Sequence, residues 1–127
     1  MDTQNGKSLY EKLGKYEGIA ALADDIVAAH FVNPVIKDSF LPYKNSEELI
    51  TLKNHLIDFM CAGTGGPEEY TGRDMPSAHK DMNITEDEYD AAVQDIMNCL
   101  KKHGRDEGVR KEVHAITDVL KEQIVGQ

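Results

Sequence analysis

The sequence predicts an all-α domain, and three observations carry that prediction. Apolar residues recur at three- and four-residue intervals through four long segments. No segment alternates apolar and polar residues with period two over a useful length, so no sheet is expected. Two Ser/Thr-x-x-Glu patterns, Ser8 to Glu11 and Thr85 to Glu88, are capping boxes that mark helix starts.

Residues 1–7 read as a flexible leader. A first short helix opens at Ser8, with Leu9, Tyr10 and Leu13 on its apolar side, and Gly14 stops it. The second begins near Glu17, and Ile19, Leu22, Ala23, Ile26, Val27 and His30 share one face. Asn33-Pro34 ends it, because the residue before proline is pushed out of helical dihedrals. Residues 35–40 suit a single turn. Asn45 or Ser46 caps the third long segment, which runs to about Ala62 with Leu49, Leu52, Leu56, Phe59 and Met60 as its buried stripe. A loop over 63–74 follows. Tyr89, Ala92, Val93, Ile96 and Leu100 form the stripe of the next helix, closed by His103 and Gly104. The last helix runs from about Glu107 to Val125, with Val109, Val113, Ile116, Leu120 and Ile124 inward.

The chain has 127 residues, 40% hydrophobic and 29% charged, which suits one globular domain. The net charge of −9 argues against nucleic acid, whose binding depends on neutralising phosphates with Lys and Arg. An anionic membrane surface is disfavoured for the same reason. There is no apolar run long enough to span a bilayer and no signal-peptide core, so a cytoplasmic protein is expected. Cys61 and Cys99 fall inside predicted helices and read as small buried hydrophobes rather than a disulfide or a thiolate metal site.

The most informative stretch runs from Gly63 to Met82. It opens with Gly63-Thr64-Gly65-Gly66-Pro67, so it begins as loop, and a long loop in a compact helical domain is usually functional. It closes as a short helix, with Pro76 in the first turn. Met75, Ala78, His79 and Met82 then share a face. Two readings of His79 follow: a core histidine satisfied by a backbone carbonyl, or a metal ligand, most plausibly to haem iron. Of the 5 histidines, His103 and His114 suit the surface, whereas His30, His55 and His79 each sit on the apolar face of a different helix. Three such histidines could bind zinc with an open position, but none are spaced as His-x-x-x-His. A haem needs one strong ligand and a large apolar slot. Lys53, Lys80 and Arg73 are candidates for its propionates, against the commoner reading of plain solvated charge. Carboxylates are abundant but cluster at helix starts, and neither a nucleophile elbow nor a phosphate-cradling loop is present.

Several of these residues match a known family. Ser8-Leu9-Tyr10-Glu11-Lys12-Leu13-Gly14 resembles the opening of truncated haemoglobins. Asn33-Pro34 followed by Phe40, Gly65-Gly66-Pro67 with Tyr70-Thr71-Gly72-Arg73-Asp74-Met75, Ala78-His79-Lys80 and Tyr89-Asp90-Ala91-Ala92-Val93 are similar to later segments of that family, and its group I is the nearest match. The resemblance covers about 8–125. It implies a two-over-two helical sandwich around haem b (iron protoporphyrin IX), in a single domain over 8–127. It implies that His79 is the proximal iron ligand and that Phe40 packs on the porphyrin. Lys53, Leu56, Arg73, Met75, Tyr89 and Val93 are the other expected cofactor contacts. Val27, His30, Leu52, His55 and Leu56 are the expected distal pocket.

Departures from the family bear on function. Where it usually has a tyrosine, seven residues before Pro34, this chain has Val27. Where it often has glutamine, this chain has Leu52 and Leu56. Those donors hold polarised O₂, and one net hydrogen bond of about 1–1.5 kcal/mol changes ligand release roughly five- to tenfold. His55, and secondarily His30, are the available replacements. His55 corresponds to a histidine that in some members binds iron from the distal side. It either closes on the iron, the reading favoured here, or swings away in a mainly apolar pocket suited to NO or CO relative to O₂. The implied function is reversible binding of diatomic gases (O₂, NO, CO), with oxygen transport among the roles. A haem redox enzyme, acting as NO dioxygenase or like a peroxidase, is the first alternative, and a cofactor-free helical interaction module the second. The expected partners are the gases and an unidentified reductase, with no nucleic acid or membrane, and the chain is expected to be a monomer.

Overall fold

The computed structural model describes residues 8–44 and 46–126. The expected leader at 1–7, and Asn45 as a cap, lie outside those residues. The elements in order are α1 (Leu9–Lys12), α2 (Lys15–Val32), α3 (Lys37–Phe40), a 3₁₀ turn (Leu41–Tyr43), α4 (Glu47–Gly63), α5 (Met75–Ala78), α6 (Glu86–Lys102) and α7 (Glu107–Ile124). No strand occurs among the described residues. Helices α2 and α4 pack as one pair and α6 and α7 as a second, with α2 crossing onto α6, which makes a two-over-two sandwich.

Local chemistry sets the boundaries. Both predicted capping boxes form, at Ser8 with Glu11 and at Thr85 with Glu88. The Ser46 side chain accepts from the Leu49 amide at 3.2 Å, and Asp106 accepts from the Val109 amide at 2.9 Å. Glu86, Asp87 and Glu88 lie in the first turn of α6, where negative charge meets the positive end of the helix dipole. Helix α2 starts at Lys15, two residues before the sequence suggests, because Gly14 (φ +92°) turns the chain directly from α1 into α2. That turn is tight. A Cβ on Gly18 would lie 2.1 Å from the Leu13 carbonyl oxygen. The Arg105 guanidinium closes the corner by donating to the carbonyls of Lys12 and Leu13 at 3.1 and 3.0 Å.

The core is dense in one half of the molecule. There Leu13, Ile19, Leu22 and Ile26 pack with Ile57, Cys61, Leu100, Val109 and Val113. Other inward residues stay half-buried: Leu49 and Leu52 on α4, Val93 on α6, Ile116 and Leu120 on α7, while Leu56 and Met97 pack half-buried against that core. This corrects the expected stripe of α4. Its buried residues are Ile57 and Cys61, which the expected stripe omits, and Leu56 and Met60 pack half-buried beside them. No single helix among the described residues is long and apolar enough to cross a membrane.

The Gly18→Ala protein should lose about 1–3 kcal/mol of stability, because the new methyl meets a backbone carbonyl that Arg105 holds in place. Urea unfolding measures this, and a midpoint equal to the parent's would show that the α1–α2 corner yields freely.

Candidate functional site

Helix α5 delivers His79. The Asp74 side chain caps it by accepting from the Ser77 amide at 2.9 Å, and hydrogen bonds from the Ser77 side chain and then its amide hold the Asp74 carboxyl below the usual carboxylate range. Pro76 occupies the first turn, where a missing N–H costs nothing. His79 ends the helix, and the chain then turns through Asp81 and Asn83, both with positive φ. Asp and Asn tolerate that region better than most residues. The helix therefore stops before Met82, which is exposed, and the expected fourth member of the stripe is not on it.

The His79 ring is half-buried. Its Nδ1–H donates to the Met75 carbonyl at 2.9 Å. A neutral imidazole has one donor nitrogen and one acceptor, so this bond leaves the Nε2 lone pair free, oriented by a fixed backbone atom. That is how a metal-ligating histidine is held. The carbonyl-satisfied histidine and the iron ligand, posed by the sequence as alternatives, are compatible: one nitrogen is satisfied and the other is available.

The loop before α5 is strapped down. Its Thr64 carbonyl accepts from the Tyr10 amide at 2.9 Å, and Glu68 Oε2 accepts from the Tyr10 hydroxyl at 3.1 Å. Gly66 lies against the Tyr10 ring, where a Cβ would come within 2.5 Å of Cδ1. Glu68 Oε1 is buried without a partner, and burial, with help from Glu68, pushes the Cys61 thiol up to about 11. Further along, the Tyr70 hydroxyl donates to the Arg73 carbonyl, and its ring stands edge-on to Phe59 at 5.1 Å and to His55 at 6.1 Å.

His55 is therefore not where its place among Leu52, Leu56 and Phe59 suggests. It is exposed and lies against Tyr70, about 160° around α4 from the buried Ile57. His30 is buried. Its Nδ1 is 2.7 Å from Asp95 Oδ2 on α6, and its ring lies tilted against Phe40 at 5.1 Å. Asn33 Nδ2 donates to both Asp95 oxygens at 3.1 Å. Burial holds the His30 imidazole below its ordinary pKa, with Asp95 opposing. Among the described residues no three His, Cys, Asp or Glu side chains come together as a metal-ion site. With His30 on Asp95, His55 on Tyr70 and His79 on Met75, the three-histidine zinc alternative has no donor set.

Residues 8–125 match the family model for a bacterial-like globin. The chain belongs to that family, as a truncated haemoglobin. A group 1 truncated haemoglobin from Synechocystis sp. is 28% identical over 114 residues, covering 86% of this chain and 88% of its own. The crystal structure of the Fe(III) form of a truncated haemoglobin from Tetrahymena pyriformis is 25% identical, with a TM-score of 0.86 over 95% of this chain and all of that one. The 2/2 haemoglobin of Synechococcus sp., solved in the cyanomet state with covalently attached haem, is 23% identical with a TM-score of 0.79 over 88% of this chain and 91% of its own, and shares the fold.

The family implies haem binding, and the residues of this globin fit it. Half-buried apolar residues of α4, α6 and α7, with Phe40 and Met75, are available to line a haem, and the His79 Nε2 is available to hold its iron. Other expected contacts divide. Val27 is buried in α2 and Leu52 is half-buried on α4. Tyr89 is buried with its hydroxyl donating to the Thr117 carbonyl, which ties α6 to α7, and burial pushes it up to about 12. Lys53 pairs with Asp24 on α2 at 3.7 Å. Arg73 and Lys80 are exposed and make no ion pair among the described residues. Sequence reasoning missed Asp95 and Tyr70. Asp95 had a signal, since a histidine on the apolar face of α2 needs a polar partner across its crossing. Tyr70 had none beyond the family motif.

The His30 shift has a sign in stability. The unfolded chain's imidazole titrates near 6.5, and the folded one lower, so the unfolded chain takes its proton first. Stability is full above about pH 6.5 and falls with acid until the folded group also protonates. Urea midpoints at pH 7.5 and 5 should show the loss, and it should shrink in His30→Gln, which keeps a donor to Asp95. Equal losses in both proteins would contradict the assignment.

Proposed function

We propose that this globin holds haem b through His79 Nε2 and binds diatomic gases beside an apolar distal wall. The observation that supports it most is the His79 to Met75 hydrogen bond, which presents a basic, oriented nitrogen at the edge of the loose half of the core. When bound, the haem supplies an iron at which a gas molecule coordinates. The chain's own residues do the rest. Phe40 and Met75 pack against the ring, with Leu56 and Val93. Arg73 and Lys80 face solvent unpaired and suit the propionates, whereas Lys53 is already engaged with Asp24. Val27, Leu52 and Leu56 form the distal wall and offer no side-chain donor. A polarised ligand there gains no hydrogen bond from them, so the pocket favours CO and NO relative to O₂.

His55 stays off the iron in this reading. Its exposed position against Tyr70 supports that, where the sequence favoured iron ligation. His30 is likewise occupied by Asp95.

Two variants test the reading. His79→Gly should weaken haem retention by more than the roughly 10–100-fold that losing an outer partner of a metal ligand costs, and added imidazole should restore the Soret band. Retention equal to the parent's would remove His79 from the iron. His55→Leu should leave the ferric and ferrous spectra unchanged. A change from six- to five-coordinate bands would return His55 to the iron.

A further inference from the structure

The stretch 67–73 leads into the helix that carries His79, and one polar contact ties it to the rest of the molecule. Among the described residues, no backbone–backbone hydrogen bond joins this stretch to a helix. Its one hydrogen bond to another element runs from the Tyr10 hydroxyl on α1 to Glu68 Oε2, at 3.1 Å. The bond from the Tyr70 hydroxyl to the Arg73 carbonyl is internal, and the Tyr70 ring adds packing on Phe59. Asp74, the cap of α5, follows directly. The Tyr10 end of the contact is well fixed. Its hydroxyl accepts from the Tyr16 amide at 3.2 Å, so its own proton is directed to Glu68. Its buried ring lies on Gly66, where a Cβ would meet Cδ1 at 2.5 Å and Glu68 Oε1 at 2.8 Å. The Glu68 end has no other partner, since Oε1 is buried and unpaired. An unpaired buried oxygen costs free energy, so Glu68 keeps this pose through Tyr10.

We propose that Tyr10 and Glu68 are positioning residues for His79: one hydroxyl–carboxylate hydrogen bond from α1 fixes the lead-in to α5, and with it the imidazole that holds the iron. The inference rests on the haem reading above. The lever is local stability. A four-residue helix is too short to persist alone, so it depends on its attachments. On one side α5 packs on α7. On the other stand the Asp74 cap, the Tyr70 packing and the Tyr10 bond. Releasing the Tyr10 bond lets 67–73 open while the long helices stay closed. Such opening disturbs the Asp74 cap and the Met75 carbonyl that orients His79.

The test uses the haem-loaded full chain in its diamagnetic ferrous CO form. Amide hydrogen exchange is read by NMR at Ala78 and His79, whose amides donate to the Asp74 and Met75 carbonyls, with the centre of α6 as control. Tyr10→Phe keeps the ring on Gly66 and removes the hydroxyl. Glu68→Ala removes the carboxylate and leaves the Tyr16 contact. Both should speed exchange at Ala78 and His79 about five- to tenfold, the factor that one net hydrogen bond carries, with α6 unchanged. Both should also pass haem to apomyoglobin faster by a similar factor. Glu68→Gln, whose amide oxygen still accepts from Tyr10, should match the parent in both measurements. Unchanged exchange at Ala78 and His79 in Tyr10→Phe and Glu68→Ala overturns the inference alone. So does a rise that spreads equally through α6, or a Glu68→Gln protein that behaves like Glu68→Ala. A parent with no Soret band overturns the haem reading and this inference together.

Discussion

The hydrogen bond from His79 Nδ1 to the Met75 carbonyl is the contact on which the site depends. It is made within a single turn of helix, so it needs no distant partner. It does need that turn to exist, and four residues of helix are far too few to be stable alone. The turn is held from outside by the Asp74 cap, by Pro76 and by packing of α5 on α7. Thus the loop, the cap and the last helix all act on one imidazole nitrogen. The left-handed residues that follow end the helix directly after the histidine and turn the chain toward α6.

The second constraint is the division of the core. In the dense half, Arg105, Gly14 and Gly18 bring α1, α2 and the start of α7 together, and aliphatic residues fill the space. In the loose half, the same helices keep apolar faces that remain half-buried. Burying such a face is favourable by about 25 cal/mol per Å², so a flat apolar cofactor seated there adds directly to stability. The dense half gives the frame that keeps the faces apart. Tyr89 on Thr117, and His30 with Asn33 on Asp95, tie the long helices across the loose half by polar contacts that do not fill it.

Most of the fold was legible because its signals are local. The capping boxes at Ser8 and Thr85, the Asn33-Pro34 stop and the spacing in α6 and α7 each need only a few neighbouring residues. Across the chain, the ordered motifs around Tyr10, Gly66 and His79 identified the family. The failures share another origin. Met82 was placed on the stripe because periodicity continues on paper, while the backbone turns left-handed at Asp81. His55 was placed inward because apolar residues surround it in sequence. A residue's side of a helix is settled by the neighbouring segment, and here that segment is the loop carrying Tyr70. The role of Asp95 depends on which helices cross, which no single-sequence pattern specifies.

With His30 engaged by Asp95 and His55 exposed against Tyr70, the proposed haem ligation rests on His79 alone. The visible absorption spectrum of the purified, haem-supplemented protein after dithionite reduction tests this most directly. Ligation by His79 alone predicts a Soret band with one broad ferrous band in the visible, the signature of five-coordinate iron. Sharp, split ferrous bands would mean a second axial ligand and contradict the distal assignment. The lack of any Soret band would contradict the haem site itself.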